Sequence, residues 1–371
     1  MWKKVWFLLI LLPGSLVGCS WLSGAEPRIL YLALDEAGRS QLFVTSIAGT
    51  DISQLTAAEA DVIDYALSPD GRQIAYTVRQ RPQGDGSHGD ELWVMAVNGR
   101  SPQSLLTCPQ AQCSHPVWHP DSRRLLYERR EFTGALGAPG APQLWWLDGR
   151  DGTTLPLLET ADGPSGGARF SPDGEWVSFV VSPDEGIRLY NFSDGRYRRL
   201  QSEMGTPAVW SQDGRYLLIR DHYLSYLRGA GADQAIDSQA TQAFTLGVGL
   251  YLTHLEGTGS TVISGEEGFD DSAPAWSPDG EQIAFTRKQP KVLTGRQLWL
   301  VAADGSSARS LTDEPMVNHG PPQWSPNGRY LLTQRYELDS QSDMAGISLF
   351  DLQTHTMQEV VPAGFYPSWL P

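Results

Sequence analysis

Short apolar runs with a period of two recur along the chain, each introduced by the same polar turn. An aromatic or apolar residue precedes Ser-Pro-Asp-Gly or a near copy, and an alternating run such as Gln73-Ile74-Ala75-Tyr76-Thr77 or Gln282-Ile283-Ala284-Phe285-Thr286 follows. The copies are Leu67-Ser68-Pro69-Asp70-Gly71, Trp118-His119-Pro120-Asp121-Ser122, Phe170-Ser171-Pro172-Asp173-Gly174, Trp210-Ser211-Gln212-Asp213-Gly214, Trp276-Ser277-Pro278-Asp279-Gly280 and Trp324-Ser325-Pro326-Asn327-Gly328. Proline presets φ, Asp or Asn bonds back to nearby backbone, and Gly accepts the left-handed conformation, so each copy predicts a β-hairpin. Ser122, in the glycine's place, implies a strain of about 1 kcal/mol.

A second pattern follows each hairpin: a short apolar strand ending in a polar, Gly-containing turn, as in Glu91-Leu92-Trp93-Val94-Met95-Ala96-Val97-Asn98-Gly99. Its aromatic position is read at Phe43, Trp93, Trp145, Tyr190, Tyr251, Trp299 and Phe350, one copy more than the first pattern. The extra copy lies at the N-terminus, where residues 28–55 supply the last three strands of a unit without its first. That strand is predicted at the C-terminus, because Tyr366-Pro367-Ser368-Trp369-Leu370 repeats the segment around Pro274-Ala275-Trp276. Four strands per unit, about fifty residues per period and a unit shared between the termini describe an all-β, seven-bladed β-propeller over residues 28–371, with a six-bladed ring as the alternative.

Turn, strand pattern and terminal closure together resemble the TolB-like propellers. The resemblance implies the fold and carries little about function. The family's namesake has six blades and a further N-terminal domain, whereas this chain shows seven repeats and about nine residues between Cys19 and the first strand.

Residues 1–18 read as a secretory signal peptide, with Lys3 and Lys4 before an apolar run from Val5 to Leu12. Leu16-Val17-Gly18-Cys19 resembles a bacterial lipobox, so Cys19 is expected to carry lipid, with residues 19–27 as a linker. The chain is thereby expected outside the cytoplasm, anchored to the membrane. Its formal charge of −15 argues against a nucleic-acid partner, and removing residues 1–18 takes away two lysines and no acid. Cys108 and Cys113 are expected to pair as a disulfide in an oxidising compartment, a zinc site being short of ligands.

Catalytic signals are few. Gly163-Pro164-Ser165-Gly166-Gly167 matches G-x-S-x-G, but a blade strand follows it where a nucleophile elbow needs a helix. The acidic stretch around Asp85, His88 and Asp90 has no calcium-loop spacing. His115 and His319 could converge with Asp64 or Asp271 near the channel, the arrangement a metal-dependent propeller lyase or hydrolase would need. No cofactor or metal is expected. The variable connections between second and third strands, notably 221–248, gather on the face opposite the Ser-Pro-Asp-Gly turns, where recognition is expected. Candidates for that face are His88, His115, Tyr223, Tyr226, Asp270, Asp271, His319 and Tyr366. The reading is a non-catalytic scaffolding or binding module with an envelope protein or glycan as partner.

Overall fold

The computed structural model describes residues 26–80, 89–133, 138–158, 163–182, 186–222, 247–257, 259–266, 268–290, 292–339 and 344–370. Within them every regular element is a strand. Blade 2 shows the common plan. Asp61–Leu67 turns into Gln73–Arg79, and Asp90–Ala96 and Gln103–Cys108 complete an antiparallel meander. Blade 3 comprises Ala111–Trp118, Arg124–Thr133, Gln143–Asp148 and Thr154–Pro156, with Ala138–Pro139 added beside its second strand. Blade 4 runs from Gly166–Phe170 to Tyr197–Leu200, blade 5 from Val209–Trp210 to Ser260–Ser264 and blade 6 from Asp270–Trp276 to Arg309–Ser310. Val248 and Asp270 form a single parallel bridge between blades 5 and 6. In blade 7, Val317–His319 and Gln323–Trp324 both pair with Tyr330–Glu337.

Blade 1 takes its innermost strand, Phe365–Leu370, from the C-terminus and its other three from Arg28–Leu34, Ser40–Ser46 and Ser53–Gln54. Arg28 faces Leu370 and Ile29 faces Trp369. Each apolar cluster spans two successive blades. Leu30 and Val44 of blade 1 pack with Val62 and Ile74 of blade 2, and so on round to a cluster joining Leu332 and Ile347 of blade 7 to Ile29 and Trp369 of blade 1. Among the described residues these clusters link seven units of four or five strands into a closed cycle. The core is thus distributed between blades rather than gathered at a centre.

The recurring residues hold these joints together. In the turn, Ser68 Oγ donates to Asp70 Oδ1 (2.6 Å) and accepts the Gln73 N–H (2.9 Å), while Gly71 sits at φ 68°. The aromatic before the turn reaches into the preceding blade: the indole N–H groups of Trp118, Trp210, Trp324 and Trp369 donate to the carbonyls of Ala66, Arg169, Ala275 and Gln323 at 3.0–3.1 Å. Glycines of the second pattern do likewise. Gly49 and Gly152 have positive φ, and a Cβ on either would lie 2.3 Å from the carbonyl oxygen of Val360 or Leu105 in the blade before.

The register corrects one reading of the repeat. Phe43, Trp93, Trp145, Tyr251 and Trp299 stand opposite Tyr31, Tyr76, Tyr127, Ile219 and Phe285, all at one position of the repeat. Tyr190 and Phe350 lie two residues further on, opposite Val177 and Leu331; Arg188 and Ser348 occupy the position assigned to them. Residues two apart share a face of a strand, so alternation alone cannot separate the two registers.

A candidate binding face on the inner strands

The innermost strands carry a bulge three residues before the recurring aromatic. His115, Gly167, Ala273 and Tyr366 sit there at φ of 55°, 64°, 51° and 50°, and the ladder shifts register beside each. Proline follows three of them, as Pro116, Pro274 and Pro367. It has no N–H to give the ladder and is at home in a bulge. A left-handed conformation is strained for any residue but glycine. Two side chains nevertheless stand out from these positions, His115 with 66% of its side chain exposed and Tyr366 with 62% of the residue exposed.

Three of these bulges are tied to a neighbour in the ring. The His115 N–H donates to Asp64 Oδ2 of blade 2 (2.7 Å), and the Gly167 N–H donates to Glu128 Oε1 of blade 3 (2.8 Å). The Tyr65 hydroxyl donates to the Tyr366 carbonyl (2.6 Å). Tyr366, Asp64, His115 and Gly167 therefore occupy one repeat position on four successive blades. Burial pushes the Asp64 carboxyl pKa up, against the Thr77 hydroxyl beside it and the His115 hydrogen bond. Glu128 Oε2 lies 3.4 Å from Arg130 and 3.8 Å from His115 Nδ1. Arg169 is exposed, yet the protein around its guanidinium lowers its pKa by desolvation, opposed by the charge of Glu128. The result is a mixed patch of phenol, imidazole and carboxylates, bordered by arginine.

Three sequence candidates serve the scaffold instead. Asp271 is fully buried, gripped by Arg287 at 2.6 and 2.8 Å and bonded by Ser264. Asp270 receives Arg220 (2.9 Å) and Arg296 (2.6 Å); burial raises its carboxyl, but the two guanidiniums hold it below the usual range. His319 is also fully buried, 3.3 Å from Glu314, and burial pushes it down to about 4 against the pull of that carboxylate. His115 thus meets Asp64 as envisaged, whereas His319 faces Glu314 and not Asp271. Among the described residues no group of three or more His, Cys, Asp or Glu is placed to hold a metal ion. Cys19, His88, Tyr223 and Tyr226 lie outside the described residues.

Cys108 and Cys113 are joined by a disulfide with Cα atoms 6.3 Å apart. Ser165 is buried, and its Oγ accepts the Leu144 N–H at 3.0 Å. Thr56 and Thr312 do the same for Leu42 and Leu298 in other blades. The serine of the G-x-S-x-G match is a joint of the repeat. Glu128 and Arg169 were not singled out from the sequence, although each breaks the repeat: Glu128 stands where other blades have Thr77 or Thr286, and Arg169 where they have Ala66 or Ala275.

No family model matches the chain, and no curated protein matches it. Solved structures do. TolB from Acinetobacter baumannii superposes with a TM-score of 0.52 at 14% identity, covering 93% of this chain and 67% of that one. This chain has a TolB-like β-propeller fold. An oligogalacturonate lyase in complex with manganese gives 0.50 at 17% identity over 79% of this chain and 74% of the lyase. A putative 6-phosphogluconolactonase from Bacteroides fragilis gives 0.57 at 12% over 94% and 99%. At these identities the likeness is one of fold. Named enzymes stand beside TolB among the neighbours of this propeller, so architecture alone assigns no activity.

Proposed function

We propose that this propeller is a lipid-anchored, extracytoplasmic binding module without catalytic activity, and that it engages an envelope protein or glycan at the Tyr366–Asp64–His115 face. The observation that carries the reading is the display of two exposed side chains, His115 and Tyr366, on backbone that would be less strained with glycine. A phenol ring offers a stacking surface, and the imidazole and carboxylates beside it offer directional hydrogen bonds; sugar rings and extended peptides are recognised by such combinations. The extracytoplasmic setting rests on the signal-peptide pattern and Cys19, and accords with the likeness to TolB.

The test is affinity capture from crosslinked membranes with His115→Gly and Tyr366→Gly. Both variants are expected to fold, with unchanged or slightly raised Tm, and to lose the captured partner. Retained capture in the double variant would overturn the site. Cys19→Ala is expected to release the protein from the membrane. The competing reading, an enzyme at the channel mouth, would replace this one if a measurable turnover vanished in Asp64→Asn with the fold intact.

A further inference from the structure

The degenerate copy of the turn motif coincides with a broad groove. Trp118-His119-Pro120-Asp121-Ser122 departs from its sister copies twice, and both departures are accommodated. Ser122 adopts φ 56°, and its Oγ accepts the Asp70 N–H of the neighbouring turn at 3.1 Å. His119 Nδ1 accepts the Asp121 N–H (3.1 Å), leaving Nε2 to meet the Gly174 carbonyl of blade 4 at 3.3 Å. Its ring joins an aromatic box, with centroids 5.0 Å from Phe170, 6.0 Å from Trp146 and 6.5 Å from Phe192. His119, Trp146 and Phe192 of this box wall a groove of about 750 Å³ between blades 3 and 4, at the end of the strands where the Ser-Pro-Asp-Gly turns lie. The equivalent groove between blades 5 and 6 has about 430 Å³, with Ser211 and Leu252 where His119 and Trp146 stand.

Charge completes the picture. Asp148, Asp151, Asp173 and Glu175 rim the groove, and no ion pair engages any of them among the described residues. Arg124 is the basic side chain in the lining; its guanidinium sits 5.0 Å over Trp146 and is already neutralised by Asp121 at 3.0 Å. The indole therefore accepts a cation within the chain itself, and the remaining carboxylates have none.

We infer that this groove is a second binding site, which takes a lysine or arginine side chain presented by a polypeptide partner. The apolar stem would lie along Trp146 and Phe192, with the charged head among the carboxylates, combining apolar packing with long-range complementarity. The site is independent of the inner-strand face and uses none of its residues.

The experiment is titration of the ¹⁵N-indole-labelled protein with the capped tripeptide Gly-Arg-Gly, its Gly-Lys-Gly and Gly-citrulline-Gly counterparts, and spermidine. The Trp146 signal is assigned by Trp146→Phe. The arginine and lysine peptides are expected to shift that signal saturably in the millimolar range, with the citrulline peptide silent. Glu175→Gln with Asp151→Asn, both isosteric, is expected to weaken binding at least threefold at an unchanged Tm. An absent shift, an equal response to the citrulline peptide, or unchanged affinity in the double variant would overturn the proposal. A response to spermidine alone would overturn its polypeptide source.

Discussion

Asp64 accepts the His115 N–H through one oxygen and keeps its carboxyl buried beside Thr77. Its protonated form is therefore favoured in the folded state, and the unfolded chain releases that proton first as pH rises. Stability attributable to this group is present below the ordinary carboxylate pKa and lost as pH rises through the elevated folded value. Asp64→Asn, whose side-chain oxygen can still accept the N–H, should be at least as stable as wild type at pH 7 and lose that advantage in acid. Asp64→Ala should cost about 1 kcal/mol for the lost acceptor. Urea unfolding of both variants at two pH values checks the signs. His319 acts in the opposite direction. Its ring is neutral in the fold down to about pH 4, while the unfolded chain takes up a proton below about 6.5. Stability should fall between those limits on acidification, and His319→Gln should flatten that fall. An unchanged acid limb in that variant would contradict the assignment.

Single strands and turns were legible in the sequence because their determinants are local. The Ser-Pro-Asp-Gly hairpins carry their own hydrogen bonds, from Ser68 to Asp70 and back from Gln73, so the motif announces the structure. The inner bulges were not legible as such, although His115-Pro116 and Tyr366-Pro367 marked them. What holds each bulge is a group on another blade, Asp64 for His115 and Tyr65 for Tyr366. Blade-to-blade bonds also explain why one substitution should have two outcomes. Trp324→Phe removes the bond to the Ala275 carbonyl and should cost about 1 kcal/mol beyond the lost packing. Trp276 has a buried indole N–H without a partner, so Trp276→Phe should be milder by that amount. Equal Tm losses would remove the hydrogen bond from the account. Glycines divide in the same way. Gly152→Ala drives a Cβ into the Leu105 carbonyl, whereas Gly195→Ala meets nothing within 4 Å. The second should cost about 1 kcal/mol from backbone strain alone and the first clearly more.

At the scale of the molecule, the apolar clusters form a cycle in which every blade is supported on both sides. The shared blade is its closure, with Trp369 bonded to Gln323 on one flank and Ile29 paired with Trp369 within the sheet. Deleting residues 364–371 should expose the edge of Arg28–Leu34 and lower the Tm of the whole protein. A wild-type Tm in the truncated protein would show that the ring does not depend on its seam. Closure was readable because Tyr366-Pro367-Ser368-Trp369 copies an internal strand. The candidate site was readable only in part, since His115 and Tyr366 could be named while Glu128 and Arg169 became visible once the neighbouring blades were in place.

The pairing of Arg28 with Leu370 also fixes a timetable. Blades 2 to 7 are each built from contiguous chain and can form their hairpins as soon as they are synthesised. Blade 1 must wait for the last residues, while its first three strands stand with an open edge. That contact joins nearly opposite ends of the chain, the longest sequence separation of any strand pair described, and late seam formation is the expected order of events. Until it closes, the nascent chain presents a strand edge for mispairing, and the interval between the first blade's synthesis and its completion is when it most needs protection.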